Sequence, residues 1–377
     1  MNRFVSWCNQ HMIFPILGIF LGSRVMLTII GYLCRLLIYI PNSPDQPWHY
    51  NPSPLLDFWG SWDTGWYMDI ASNGYSSHMK ENGEANYAFF PLYPLLVGII
   101  GKIIGNVFIA GLLVSNIALI LAAVFLYKVV RHDYGESTAM KSLLILFAFP
   151  FSFVFSGMFT ESLYLFLFLL IFYFAQQRKW WAVGVTGIFL SLSRLIGVFS
   201  ILPMIIEFFT ALKKNTQKKL LPFLWLGLIP VGTVLFMIFN YVLSGNPFGF
   251  MTVQAAWGRA IVGPIAVLQF AFSHPEDIAL QFGLWTTIIS FLLIAVSWKK
   301  LKPSYLLASF YSILIPLSTN MDSMPRYILP IFPLYIAIAL WCKKDIHFHI
   351  ALMMLVLLQG MCMVFWSTWG IVGKLVV

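Results

Sequence analysis

Long apolar runs separated by short polar stretches organise this chain. The runs fall near residues 12–40, 106–130, 142–156, 161–177, 180–193, 196–212, 220–243, 281–298, 303–318, 327–342 and 348–370. Each predicts a helix. Several are shorter than the ~20 residues a lone membrane span needs, so they are read as helices buried in a bundle or flanked by half-apolar turns. The first run carries Arg24 and Arg35 and has no A-x-A cleavage site, so it is expected to stay as the first membrane helix. Residues 88–104, AFFPLYPLLVGIIGKII, hold two prolines, two glycines and Lys102. As a full span they would invert every later loop, so a juxtamembrane or re-entrant helix is expected there. The whole pattern predicts an all-α polytopic membrane protein with about eleven transmembrane helices, forming one domain over residues 1–377.

Composition agrees. Hydrophobic residues make up 60% of the chain and charged residues 10%, where a soluble domain is about a quarter charged. That excludes a water-soluble fold, and so little charge excludes disorder. A net charge of +9 would suggest nucleic acid in a soluble protein. In a membrane chain it reports topology, and no nucleic-acid partner is expected. If the helices alternate, Arg3, Lys128, Arg131, Lys141, Arg178, Lys179, Lys213, Lys214, Lys218, Lys219, Lys299, Lys300, Lys302, Lys343 and Lys344 share one side, fifteen of the 23 basic residues. By the positive-inside rule that side is cytoplasmic, with the N-terminus. The opposite side collects Asp45, Asp57, Asp63, Asp69, Glu81, Glu84, Glu161, Glu276, Asp277 and Asp322. Two long segments lie there, 41–105 and 244–280, so the chemistry is expected to face outward.

Candidate chemistry is sparse, which makes it informative. Asp63 sits among Trp62, Gly65, Trp66 and Tyr67 in FWGSWDTGWYMDIASNGY, residues 58–75. Aromatics favour the membrane interface, and they partly desolvate a carboxylate, which raises its pKa towards that of a general base. Glu84 precedes the apolar wedge AFFPLYP. Glu161, in FTESLYLFLFLL, is a boundary acid that either faces a partner or complements its helix dipole beside a Thr160 cap. Arg194, Arg259 and Arg326 all fall on the outer side. They either pair with the outer acids or form a clamp for phosphate, whose oxygens match the guanidinium fork. Arg24 could join either group.

Other chemistry is not indicated. Cys8, Cys34, Cys342 and Cys362 are scattered without a C-x-x-C, so no disulfide frame or metal site is read. The seven histidines show no ligand spacing, and no D-x-D pair is present; no metal and no other cofactor are assigned. There is no Walker loop and no strand-linked G-x-G-x-x-G. A group-transfer enzyme built this way is expected to take its donor from the membrane.

The stretches WDTGWYMDIASNGY (62–75), NYAFFPLYPLL (86–96), FTESLYLF (159–166), SRLIG (193–197), GNPFGFMTVQAAWGR (245–259) and MPRYILPIFPLY (324–335) together resemble the PIG-V mannosyltransferase family. Its eukaryotic members add the second mannose in glycosylphosphatidylinositol-anchor assembly, and bacterial relatives share the motifs. The match runs in order from about residue 12 to residue 340. The resemblance implies a GT-C bundle with a long first outer loop, a polyprenyl-phosphate sugar donor, and Asp63 as the acid at the catalytic centre. It places Glu84, Glu161, Arg194 and Arg326 at further motif positions, with Gln254, Trp257 and Arg259 matching the bacterial second outer loop. Trp62 and Tyr67 would line the sugar and lipid approach. The chain has no permitted N-x-S/T sequon and no large insertion. A bacterial membrane and a glycolipid or other membrane-associated acceptor are therefore expected, rather than the anchor lipid. The expected reaction is an inverting hexose transfer, most simply of mannose. A transporter or flippase for the same lipid-linked sugar is the competing reading. A structural scaffold ranks last, because it leaves Asp63 and the outer arginines unexplained.

Overall fold

The computed structural model describes residues 12–38, 49–213 and 220–368. Arg3, Cys8, Asp45, Lys214, Lys218, Lys219 and Lys374 lie outside the described residues, as do positions 39–48 and 369–377. The helices are α1 (Ile13–Leu37), α2 (Pro54–Asp57), α3 (Thr64–Asn73), α4 (Leu92–Ile104), α5 (Val107–Tyr134), α6 (Glu136–Ala148), α7 (Glu161–Gln176), α8 (Trp180–Ser193) and α9 (Ile201–Lys213). They continue as α10 (Val231–Ser244), α11 (Gly249–Thr252), α12 (Pro264–Ser273), α13 (Ile278–Ser297), α14 (Pro303–Leu317), α15 (Met324–Ile328), α16 (Phe332–Trp341) and α17 (Asp345–Thr368). No strand occurs among the described residues.

Among the described residues six segments are long and apolar enough to cross a membrane: Ile13–Leu37, Val107–Tyr134, Leu195–Lys213, Leu221–Ser244, Ile278–Ser297 and Asp345–Thr368. The arrangement of apolar side chains fits that role. On α1 an exposed stripe of Leu21, Val25, Ile29 and Leu33 recurs every fourth residue, while Ile16, Phe20, Leu27 and Cys34 are buried on the other side. A face of that kind is stable against lipid and not against water. The centre of the bundle is α7, whose Leu165, Leu169 and Ile171 are wholly buried, packed between α5 and α8.

Loops that the charge pattern assigns to the same side meet one another in the fold. Lys302 meets Asp133 at 2.7 Å and Lys141 meets Asp345 at 3.2 Å, joining loops assigned to one side. At the other end Arg326 meets Asp63, and the Trp366 indole donates to the Phe58 carbonyl at 2.7 Å.

The helix α4 has 13 residues, about 20 Å at 1.5 Å per residue and short of a ~30 Å hydrocarbon core. It packs beside α3 and α5 as a juxtamembrane helix. A Cβ at Gly98 would stand 2.8 Å from the Ala71 carbonyl oxygen on α3. Gly98→Ala is expected to push α4 off α3 at a cost of about 1–3 kcal/mol, read as a lowered melting temperature in detergent.

Four expected runs are broken. The 196–212 run begins with a 3-10 stretch, Leu195–Ser200, and the 220–243 run with Leu221–Leu228. The 327–342 run divides into α15 and α16 around Pro330, which has no N–H to continue a helix. The 142–156 run ends as α-helix at Ala148. Residues 149–160 form a non-helical strip with one 3-10 turn, Ser152–Phe155. Its polar backbone is satisfied by side chains from distant helices. The Gln359 amide donates to the carbonyls of Phe147 and Phe149 at 2.7 and 3.0 Å, and Asn116 donates to Ser156 O at 3.2 Å. Arg24 belongs here too. It joins neither the outer acids nor the arginine group but donates to Ser152 O at 2.8 Å and Ser156 Oγ at 3.0 Å. Irregular backbone at membrane depth persists only where such partners replace water.

Candidate active site

Asp63 is delivered by a tightly held loop. The buried Asp57 carboxylate accepts the backbone N–H groups of Tyr50 and Asn51 at 2.8 and 3.0 Å, and it lies 3.6 Å from Arg35 of α1. This ties residues 49–57 to the first helix. The chain then turns at Trp62, which has φ of 41°, a left-handed conformation that costs a non-glycine residue about 1–2 kcal/mol. Tyr50 Oη donates to the Trp62 carbonyl at 3.3 Å, and Ser61 N–H donates to Thr64 Oγ1 at 3.0 Å. Asp63 occupies the cap position of α3 without capping it. An aspartate there ordinarily accepts a helix N–H. Here the carboxylate reaches across the fold instead, and Arg326 Nη1 lies 2.5 Å from Asp63 Oδ2.

Arg326 arrives in a similar way. Ser323, with φ of 64°, turns the chain into α15. Of the three non-glycine residues with positive φ among those described, two therefore precede the partners of this one ion pair. Beyond it the charges continue in a line. Arg326 Nε is 3.3 Å from Glu161 Oε1, and the same oxygen is 2.5 Å from Arg194 Nη1. Glu161 starts α7 and is 1% exposed, while Asp63, at 20%, is the most open member of the four. Arg194 stands in extended backbone between α8 and the next 3-10 turn, which frees its side chain to reach α7. Thr160 receives a hydrogen bond from Arg194 at 3.3 Å rather than capping α7. Of the two sequence readings of the arginines, the structure shows the pairing with acids for Arg194 and Arg326, and it gathers both pairs in one cluster.

Arg259 completes the group. It donates to Gln254 Oε1 and Ser323 Oγ, each at 3.3 Å, and pairs with no carboxylate among the described residues. The three guanidinium carbons lie 5.2 Å (Arg194), 5.8 Å (Arg259) and 5.8 Å (Arg326) from the centre of the Tyr327 ring. Three cations therefore face two carboxylates, and the cluster keeps one uncompensated positive charge. Tyr327 and Ser323 were not singled out from the sequence. The only signal was adjacency to Arg326 in MDSMPRYILP.

Aromatics form the adjoining wall. Trp66 stacks on Phe89 at 5.7 Å and meets Trp257 edge-on at 5.8 Å. Tyr67 is buried against Phe89, Tyr93 and Phe159. Burial raises the Tyr67 hydroxyl above its ordinary pKa, and the charges of Asp63 and Glu161 add to the effect, so the phenol stays neutral. Glu84 is not brought into the cluster. It pairs with Lys80 at 3.4 Å, and the Lys80 ammonium sits 3.9 Å above the Trp66 ring, which places Glu84 on the rim of the wall. Among the described residues no group of three His, Cys, Asp or Glu side chains lies close enough to hold a metal ion.

No family model and no curated protein matches the sequence. Solved structures do match. The chain is similar to ArnT from Cupriavidus metallidurans bound to undecaprenyl phosphate, with a TM-score of 0.54 and 10% identity over 94% of this chain and 76% of that one. ArnT from the same organism in the apo state gives a TM-score of 0.51 and 12% identity, over 94% and 77% of the two chains. At such identities the likeness lies in the three-dimensional arrangement: the chain has the all-α, GT-C-like membrane fold of ArnT.

Proposed function

We propose that this protein is a membrane glycosyltransferase of the PIG-V kind, moving a hexose, with mannose as first choice, from a polyprenyl phosphate to a hydroxyl of a membrane-associated acceptor. The observation that carries the reading is the surplus positive charge of Arg194, Arg259 and Arg326 beside a half-open carboxylate. Transfer from a lipid phosphodiester creates one new negative charge on the leaving phosphate. A preorganised site of opposite charge is the largest single term such a reaction can draw on. The ArnT structure with undecaprenyl phosphate is a precedent for a lipid phosphate on this fold.

In this mechanism the acceptor oxygen attacks the anomeric carbon from the face opposite the phosphate, and its proton passes to Asp63. The bond from the anomeric carbon to the phosphate oxygen breaks, and the pair of electrons leaves with polyprenyl phosphate. The sugar inverts. Arg326 has two tasks, because in the free protein it occupies one Asp63 oxygen. A donor phosphate competes for that guanidinium and releases the carboxylate to act as base. Glu161 positions Arg326 and Arg194, and Trp62, Trp66, Tyr67 and Trp257 line the approach. The site would face the outside of a bacterial cell membrane, opposite the lysine-rich end.

The direct test is sugar transfer by the purified protein in detergent, with radiolabelled polyprenyl-phosphate mannose and a crude membrane glycolipid extract. A labelled lipid product supports the reading. Tight retention of the donor with no product under any acceptor points to a transporter of lipid-linked sugar instead. Arg259→Gln removes the cation that has no acid partner. It is expected to raise the donor KM by about 10-fold or more, the worth of one charge-assisted hydrogen bond, with a smaller change in kcat.

A further inference from the structure

A second cation, this one buried, has no acid partner among the described residues. Arg24 is 7% exposed in the middle of α1. Four of its five guanidinium N–H groups are used, all on neutral oxygens: Ser23 Oγ, Ser152 O, Ser156 Oγ and Ser152 Oγ, at 2.8–3.2 Å. No charged side chain among the described residues acts on it. These bonds explain why the side chain is held, yet they leave its charge uncompensated. An arginine within a span ordinarily faces a partner or a cavity.

Arg24 does face a cavity. A groove of about 380 Å³ opens between α1 and α5, with walls that include Phe20, Trp59, Leu112 and Leu113 and a polar floor of Arg24, Asn116 and Ser156. Leu113 is 43% exposed at its mouth, on the lipid-facing side of α5. The depth is informative. Asn116 holds the Ser156 carbonyl, and its neighbour Ser115 donates to the Phe159 carbonyl at 3.3 Å. The strip that begins beside Arg24 thus ends two residues later at Glu161, so the floor of the groove lies level with the Asp63 cluster. A phosphate that can reach one can reach the same depth at the other.

We infer that this groove is a second lipid site. It would take the phosphate of an anionic lipid from the surrounding leaflet on Arg24, with the first carbons of the chain along Leu112 and Leu113. The occupant is a lipid rather than a free anion, because most of the wall is apolar and its mouth opens between two helices towards the bilayer. This site does not depend on the transfer reaction proposed above.

Native mass spectrometry of the whole protein tests it, with undecaprenyl phosphate and phosphatidylglycerol as anionic probes and undecaprenol and dioleoylglycerol as neutral ones. The wild-type protein is expected to retain an anionic lipid at least tenfold better than its neutral counterpart. Arg24→Gln should abolish that preference, and Leu113→Trp, which fills the mouth without touching the serine contacts, should lower retention of that lipid at least tenfold. A lipid held at the Asp63 cluster would be indifferent to both changes. Retention equal to wild type in Leu113→Trp, or neutral lipids held as well as anionic ones, overturns the site. So does displacement of the lipid by millimolar inorganic phosphate. If Arg24→Gln does not fold, Leu113→Trp decides alone.

Discussion

Asp63→Asn is expected to fold and to lose sugar transfer by about 10²–10⁴-fold, the usual contribution of a positioned general base. The amide is isosteric and its oxygen still accepts a hydrogen bond from Arg326, so the architecture around the pair persists. A partly exposed turn also tolerates loss of charge better than a core does. Donor binding should hold or improve, since Arg326 no longer has a carboxylate to leave. The measurement is a single-turnover assay with labelled donor, beside a thermal melt of both proteins in the same detergent. An Asp63→Asn protein with wild-type turnover would remove the base from this site and return the question to Glu161.

Glu161→Gln is the complementary experiment, and its effect should be on the fold. Glu161 is buried and its one oxygen meets two guanidiniums, the buried Arg326 and the largely buried Arg194. Removing one partner of such a group leaves uncompensated charge in a medium that solvates it poorly, at a cost of about 3–5 kcal/mol. The melt should shift strongly downward, and transfer should fall with it. Glu161→Asp, which keeps the charge and shortens the reach, should recover part of the stability. The contrast separates the two carboxylates: loss of turnover with a normal melt belongs to Asp63, loss of both to Glu161. If Glu161→Gln melts with the wild type, the line of charges does not hold the two arginines as described.

Much of the fold was legible because lipid enforces a simple rule. The runs at 161–177, 180–193 and 303–318 became α7, α8 and α14 within one residue at each end, since apolar continuity and helix formation coincide in a membrane. The prolines and Lys102 marked α4 as a partial crossing. The breaks at 149–160 and Pro330 were less visible. Residues 149–156 read as the end of an apolar run, and whether such a stretch is helical depends on whether Arg24, Asn116 and Gln359 can reach its carbonyls. That information lies up to 210 positions away in the chain. The same holds for the site. Asp63, Glu161, Arg194, Arg259 and Arg326 were readable as costly polar residues in apolar surroundings, but which arginine meets which acid was not. The Asp63–Arg326 pair spans 263 positions, and no local periodicity encodes it. Glu84 shows the converse, where closeness in sequence to the aromatic loop did not bring it to the cluster.

The amide of Gln359 has a consequence for biosynthesis. It comes from α17, the last helix described, and it satisfies carbonyls at the end of α6 and in the strip beyond. The same helix donates from Trp366 to the loop that carries Asp63. Helices leave the ribosome in chain order, so the strip must wait for about two hundred further residues to be made. During that interval the Phe147 and Phe149 carbonyls lack the Gln359 amide, although Arg24 and Asn116 already hold those of Ser152 and Ser156, and the half-built bundle is a natural client for membrane chaperones and proteases. Assembly of the two ends of the chain around that strip is then a late event, and the loop that carries Asp63 gains its last tie only when α17 docks.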